Sequence, residues 1–344
     1  MSAPGFKRQP PPAIALIAAR TFMRLVFTPM YWVARKRGRV DRMLDGFQAR
    51  RQKELRKNNP YRNYVPGPQD VFVMTYPKSG TNWVMQIVYQ LIHHGAGEYD
   101  HIHNVVPWPD AVTMNPMMRG YAIPLEQATE WQTAPERRRV IKTHFNWELL
   151  PYSETAKYVA VIRDPKDAFV SAYFFMRDGG MGSMIFSIDL LHRMFLTDKF
   201  FLGGSWPANA AGYCAQRHRP NVLVLSFKAM KRDLEGTVRR VAEFLGISVG
   251  DSVIQEVCRK ASFDYMKQSD YKFSPDGFMP SKKPVAMVRK GKQGGAGELL
   301  TFEQQKAIDE YCIAEMQRLA PDFPYEEFAD LAVSPKAHAG AARG

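Results

Sequence analysis

Lys78, Ser79, Gly80 and Thr81 follow the short apolar run VFVMT and stand just before a helical pattern, with Asn82 and Trp83 next in line. A strand that delivers a glycine-containing turn to a helix start aims backbone N–H groups and the positive end of the helix dipole at one point. Phosphate or sulfate suits such a point. Lys78 adds a mobile positive charge, and the hydroxyls of Ser79 and Thr81 add donors. Lys78 precedes the glycine, so the order Gly-x-x-x-x-Gly-Lys-Ser/Thr of an ordinary NTPase loop is absent. Taken alone, Pro-Lys-Ser-Gly is also a common surface turn.

Other stretches carry compatible chemistry. In VIRDPKDAFVSAYFF, Arg163 ends a predicted strand and Ser171 lies about two turns into the next helix, so a guanidinium and a hydroxyl can converge on a second anion. The competing reading is an arginine satisfied by local carbonyls or a neighbouring acid. In PVAMVRKGKQGGAG, Arg289, Lys290 and Gly291 sit on a glycine-rich segment able to fold over a charged ligand, though by itself it reads as a solvated basic loop. In VIKTHFNW, Lys142 and His144 alternate off a strand end and share one side.

The elements that must position these residues alternate along the chain. VFVMT precedes a helix over about 81–93, RVIKTH follows, and KYVAVIRD leads to a helix from about Lys166. NVLVLSF then leads to DLEGTVRRVAEFLG, where Asp233 can cap the helix start and Gly246 can stop it. A further helix is expected from Asp251, and Thr301 with Gln304 forms a capping-box pattern before the last long helix. This alternation predicts an α/β fold: a single domain with a central parallel β-sheet flanked by helices and a P-loop-like strand–loop–helix. The expected division is a basic amphipathic N-terminal extension over 1–60, the catalytic domain over 61–332 and a disordered tail over 333–344.

The 47 Lys and Arg against 34 Asp and Glu give a formal charge of +13, which favours anionic partners without choosing among them. The three cysteines, Cys214, Cys258 and Cys312, lie far apart with no Cys-x-x-Cys spacing, so a reducing compartment fits and no zinc site is suggested. His93, His94, His101 and His103 lack the His-x-x-x-His spacing of a helical metal site. In the extension, the apolar run from Ala13 to Phe27 is interrupted by Arg20 and Arg24 and followed by Pro29, which makes it too short and too charged to span a bilayer. Arg20 and Arg24 share one helical face opposite Ile17, Phe22 and Leu25, so the run reads as a basic amphipathic helix. It either packs on the protein's own surface or binds an anionic membrane surface.

Taken together, the stretches resemble the cytosolic-type sulfotransferases, which move a sulfuryl group from 3′-phosphoadenosine 5′-phosphosulfate (PAPS) to an acceptor hydroxyl or amine without a metal. Residues 76–83, Tyr-Pro-Lys-Ser-Gly-Thr-Asn-Trp, resemble the family's 5′-phosphosulfate loop, a highly specific motif. Arg163-Asp164-Pro165-Lys166-Asp167 with Ser171 is similar to its 3′-phosphate motif, Arg289-Lys290-Gly291 to the late 3′-phosphate loop, and Lys142-Thr143-His144 to the segment carrying the catalytic histidine. They stand in family order, and the resemblance covers roughly residues 64–319. It implies His144 as general base, Lys78 and Lys142 on the transferring group, and Trp83 stacked on the adenine. It also implies a cytoplasmic enzyme, peripheral on a membrane if the extension binds one.

Departures from the family pattern bear on the nucleotide. The late loop reads Gly294-Gly295-Ala296 where Asp-Trp is usual, which implies a looser lid; Phe227 replaces a usual tyrosine, and Ala261 replaces a threonine beside the matching Ser262, Phe263 and Met266. The family's dimer motif is degraded, retaining Thr301 with Phe302 in the valine position, so a dimer of that type is not implied. Two segments expected near the acceptor, HNVVPWPDAVTMNPM and YFFMRDGGMGSM, are rich in Met, Phe, Trp and Val, which suits an apolar small molecule or lipid presenting a hydroxyl; the competing reading makes them core. A kinase-like nucleotide binder lacks its lysine order here, and a catalytically silent family member fits poorly with Lys78, Lys142 and His144 all present. Nucleic acid is not an expected partner, because the basic residues are not interleaved with aromatics in a recognisable binding pattern.

Overall fold

Short runs of apolar and β-branched residues pair as one all-parallel sheet: β1 (Asp70–Thr75), β2 (Arg139–Thr143), β3 (Lys157–Ile162) and β4 (Val222–Ser226), in spatial order β2-β1-β3-β4. In this computed structural model, residues 9–114, 118, 120, 123–181, 187–197, 204–275, 285–289, 291 and 294–333 are described. Lys290, most of the expected tail and parts of both acceptor-side segments, 115–117 and 182–184, fall outside them.

The strands are covered on both faces, which is why they read as unbroken apolar runs rather than as alternating patterns. Every residue of β1 is buried. Val71 and Val73 face a core shared with the helices Thr81–Ile92, Leu234–Leu245 and Asp251–Ala261. Phe72 and Met74 face the opposite core, where Phe72 stacks on Tyr158 of β3 with ring centroids 5.1 Å apart. A third cluster joins the helices Pro165–Met176, Trp206–Cys214 and Phe302–Leu319. The caps form as expected: Asp233 accepts from the Gly236 N–H, Gly246 closes its helix at φ 70°, and Thr301 with Gln304 makes both halves of the capping box.

The strand order matters more than the strand count. β1 pairs with β2 on one side and β3 on the other, so the connections leave β1 in opposite directions and open a crevice at its carboxyl end. All the strands point the same way, and residues 76–80, His144, Arg163 and Phe227 follow directly on their respective ends.

Before the sheet, the chain forms the helix Ala13–Phe22, a π-turn over Met23–Phe27, and the helices Thr28–Lys36 and Val40–Lys57. Pro29 does not end the apolar run. It falls in the first turn of Thr28–Lys36, where its missing N–H costs little, and the helical stretch Ala13–Lys36 becomes 24 residues, long and apolar enough by length and composition to cross a bilayer. The expectation from sequence that this segment is too short to span is corrected on that ground.

At the foot of β1, Arg139 donates Nε and Nη2 to Asp70 Oδ1 at 3.0 and 2.7 Å, while the Gly67 N–H donates to Asp70 Oδ2 at 2.9 Å. Both charged residues are buried. Asp70→Ala should leave the guanidinium buried and unpaired and destabilise the domain by about 3–5 kcal/mol, read as a lower urea midpoint. An unchanged midpoint would mean that the pair does not anchor β2 to β1.

Candidate active site

The turn after β1 uses two left-handed residues, Lys78 at φ 69° and Gly80 at φ 93°. A Cβ on Gly80 would lie 2.8 Å from the Phe227 ring, so both the conformation and the close approach call for glycine. Lys78 holds the same region at a cost in strain, and Arg163 compensates by donating Nη1 to its carbonyl at 2.8 Å. No side chain caps the helix that starts at Thr81. Its first N–H groups are therefore aimed at the crevice without an internal partner from a cap. Ser79 Oγ is buried with no hydrogen-bond partner among the described residues. The Thr81 hydroxyl bonds Thr75 Oγ1 at 2.6 Å, and Asn82 is half-buried beside it.

Around this turn the positive charges crowd. Lys78 Nζ lies 4.2 Å over the Phe175 ring, and its pKa falls to about 8 because of burial first and the Arg163 charge second. The Arg163 guanidinium lies 4.5 Å over Phe227 and 3.7 Å from Asp167, while its Nε is buried without a partner among the described residues. Arg289 lies 4.3 Å over Phe174 and holds the Glu298 carboxylate at 3.0 and 2.9 Å. Ser171, half-exposed, follows two turns along the helix that Arg163 precedes.

Within Arg-Asp-Pro-Lys-Asp only Arg163 serves the crevice; the other charged members build its frame. Asp164 caps the helix by accepting from the Lys166 N–H at 2.8 Å, and Lys166 ion-pairs with Asp164 and Asp309 in the interior. Asp167 accepts the Gly294 and Gly295 N–H groups at 3.2 and 3.1 Å. Asp167 thus ties the start of the Gly294-Gly295-Ala296 stretch to the helix Pro165–Met176. Gly291, at φ 57°, is pressed so close to Phe263 that a Cβ would meet the ring at 2.3 Å.

On the other side of the crevice stand Lys142 and His144. Lys142 is buried, with Nζ 3.4 Å from the Trp108 ring centroid and 3.4 Å from His103 Nε2. Burial lowers its pKa to about 7, partly offset by the charge of Asp110. His144 donates its main-chain N–H to Asp110 Oδ2 at 2.9 Å, and its Nδ1 lies 2.9 Å from the Thr75 carbonyl. A carbonyl can only accept, so Nδ1 carries the proton and Nε2 keeps a lone pair. Burial, then the Lys142 charge, lowers the His144 pKa to about 3, leaving the ring neutral. Asp110 is itself fully buried and takes the Tyr61 hydroxyl at 3.0 Å.

A flatter, aromatic wall completes the site. Trp83 packs edge-on to Phe227 at 5.4 Å and donates Nε1 to the Ala261 carbonyl at 2.8 Å. Ser262 caps the helix Phe263–Gln268 by accepting from the Tyr265 N–H, and the Phe263 ring remains 43% exposed. Sequence reasoning missed Thr75, Asp110 and Trp108, and named Asp167 only as part of the 3′-phosphate motif. Of these, Asp110 and Trp108 had a signal, since Trp-Pro-Asp lay in a segment already singled out; the Asp167 role needed the fold.

The arrangement gathers Lys78, Arg163 and Lys142, with two buried donors left open and a neutral imidazole alongside. Such a place binds a multiply charged oxyanion and offers a base next to it. Among the described residues no group of three or more His, Cys, Asp or Glu is placed to hold a metal ion.

Comparison with known proteins agrees with this chemistry. A family model described as sulfotransferase domain matches residues 68–320. Sulfotransferase 2A6 of Mus musculus is 29% identical over 282 residues, covering 80% of this chain and 94% of that protein. Mouse sulfotransferase SULT7A1, solved in complex with PAP, superposes with a TM-score of 0.59 at 25% identity over 77% of this chain and 91% of that one. Retinol dehydratase, solved with androsterone and PAP, gives 0.63 at 20% identity over 77% and 85%.

The lowered lysine pKa values fix the sign of a pH effect. At about pH 6 both lysines are charged, so binding of inorganic pyrophosphate should take up few protons. At about pH 8, Lys142 is mostly neutral and Lys78 half so, and binding should draw in about one proton. Calorimetry in buffers of different ionisation enthalpy measures this directly. Equal uptake at both pH values would remove the lysines from the anion site.

Proposed function

The chain belongs to the sulfotransferase family, and from that premise we propose that it transfers a sulfuryl group from PAPS to a hydroxyl or amine of a largely apolar small molecule, with His144 as general base. The observation that carries the reading is the His144 tautomer. The Thr75 carbonyl holds the proton on Nδ1, so Nε2 presents a lone pair where the ends of β1 and β2 meet the lysines.

PAPS supplies an activated sulfuryl group, whose in-line displacement shifts charge onto equatorial and bridging oxygens, so catalysis rests on position and electrostatics. Residues of this chain fit that donor. The open N–H groups after Gly80 and the unpartnered Ser79 hydroxyl suit the 5′-phosphosulfate, and Lys78 suits the charge that develops on the leaving oxygen. Lys142, held on Trp108, steadies the transferring group. Arg163, Ser171, Arg289 and Lys290 take the 3′-phosphate; Arg289 would exchange its Glu298 carboxylate for that phosphate. Trp83, Asn82, Thr81, Phe227, Ser262, Phe263 and Gly291 enclose the nucleoside.

His144 accepts the acceptor's proton at Nε2 as attack begins. Its pKa of about 3 reflects burial and two charged lysines. An anion between those lysines offsets their field and raises the basicity of the ring when a base is needed. The walls beyond His144 favour an apolar acceptor: Trp108 stands edge-on to the imidazole at 5.4 Å, and Phe174 and Phe175 lie under Arg289 and Lys78. The exposed apolar residues of the extension, such as Ile14, Ile17 and Leu25, support a cytoplasmic enzyme held peripherally at an anionic membrane surface, where such an acceptor resides.

His144→Ala should lower turnover by about a hundredfold or more while the Kd for adenosine 3′,5′-bisphosphate stays within about twofold. A variant that kept a tenth of wild-type turnover would sink the base assignment. Arg163→Ala should cut the preference for a nucleotide bearing a 3′-phosphate over its 3′-hydroxyl counterpart by about tenfold, measured as a ratio of Kd values. Unchanged selectivity would take Arg163 out of the site.

A further inference from the structure

The extension has two unlike faces. Its inner face is fastened at both ends: the Gln9 N–H donates to the Gly120 carbonyl at 3.4 Å, and buried Tyr31 with half-buried Phe27 packs into the cluster of the helix Pro165–Met176. Its outer face carries Ile14, Ile17, Phe22, Leu25, Trp32 and Val33, each between 49% and 75% exposed. A helical stretch of 24 residues makes a strip about 36 Å long. Because both ends are tied to the domain, that strip lies along the protein rather than projecting from it.

At the end of the strip the chain turns back. Gly38, at φ 62°, joins Thr28–Lys36 to Val40–Lys57, and a shallow, open cleft of about 280 Å³ lies at the elbow. Met30, Val33, Ala34 and Met43 line the cleft together with Arg37, Arg39 and Arg42, largely through apolar atoms. Among the described residues none of these arginines is paired with a carboxylate. An apolar cleft bordered by three arginines without carboxylate partners matches one ligand chemistry, a phosphate ester on an acyl-bearing backbone.

Building on the membrane association proposed above, we propose that this elbow binds the headgroup phosphate of an anionic phospholipid, so that the arm lies within one leaflet and does not cross it. Charge favours lipid over a second copy of the chain as the occupant. Two copies meeting through this face would bring the same exposed cations, Arg35, Lys36, Arg37 and Arg39, against each other, whereas an anionic leaflet neutralises them. Spanning is opposed by the burial of Tyr31 on the catalytic domain and by Arg20 and Arg24 in mid-strip. The Gln9 to Gly120 bond also sets the arm beside the segment that follows Trp108 and Asp110, so a leaflet gripped by the arm lies next to acceptor-side loops.

Sedimentation of the full chain with vesicles tests the site. Phosphatidylcholine vesicles containing phosphatidylglycerol should carry the protein down at low salt, and phosphatidylcholine alone should carry far less. Arg37→Gln, Arg39→Gln and Arg42→Gln combined should weaken partition about a hundredfold, since each charge near the surface contributes about fivefold. A control with Lys53→Gln, Arg56→Gln and Lys57→Gln removes the same charge from the next helix and should weaken it by at most about tenfold. Equal losses in both variants would mean diffuse attraction and overturn the headgroup site. So would recovery of wild-type protein in the supernatant, or a vesicle-free dimer, seen by sedimentation equilibrium, that Leu25→Ser dissociates. Each variant should bind adenosine 3′,5′-bisphosphate as wild type does, so an overturning vesicle result with nucleotide binding intact counts against the lipid site and leaves the catalytic reading untouched.

Discussion

Like charges gathered at one edge of a parallel sheet set the terms for the rest of this molecule. Lys78 lies close enough to Lys142 to lower its proton affinity, and Arg163 and Arg289 do the same to Lys78. Burial and mutual repulsion both work against them, so the fold must hold these groups in place. A parallel sheet can do so because its strands end together: whatever follows β1, β2, β3 and β4 is delivered to the same edge. The cost is offset when an anion binds, and a ligand that binds only the folded state adds to stability in turn.

The carboxylates nearby show how that edge stays positive. Asp110, Asp167, Asp164 and Asp309 lie close to the site, yet each is occupied with structure. Asp110 takes the main-chain N–H of His144 and the Tyr61 hydroxyl; Asp167 takes two glycine N–H groups; Asp164 and Asp309 share Lys166. Those bonds fix where each negative charge sits, so that at Lys142 the charge of Asp110 offsets only part of the effect of burial. Glu298 is the exception, because it pairs with Arg289 on the loop that must admit the nucleotide's phosphate. The site therefore keeps one exchangeable counter-charge and several fixed ones.

Apolar contacts govern the remaining behaviour. Trp108 supports Lys142 with its face and His144 with its edge, and Phe227 lies under both Gly80 and Arg163. Rings of this kind position cations while excluding water, which strengthens every charge interaction with the ligand. The extension carries the same pairing of aromatic and cation outward, in Arg35 over Trp32 at 5.0 Å, but there the apolar surface faces solvent.

The sequence by itself determined the elements and the phosphate-binding chemistry. Local rules act on neighbours in the chain: apolar runs for buried strands, Asp233 and Thr301 for caps, Gly80 for a left-handed turn, and a motif order that pointed to sulfuryl transfer. The tertiary structure decided what those local rules do not reach. Asp110 meets His144 from 34 positions away, and Asp167 meets Gly294 from 127, so no spacing in the chain announces either. The roles within Arg-Asp-Pro-Lys-Asp also separate only in space, Arg163 turning to the crevice while Lys166 turns to Asp309. The same holds for the extension, where sequence showed apolar residues and arginines but only packing showed which face is covered. Hydrogen bonds and burial depend on distance in three dimensions, and the chain order constrains that distance only over a few residues.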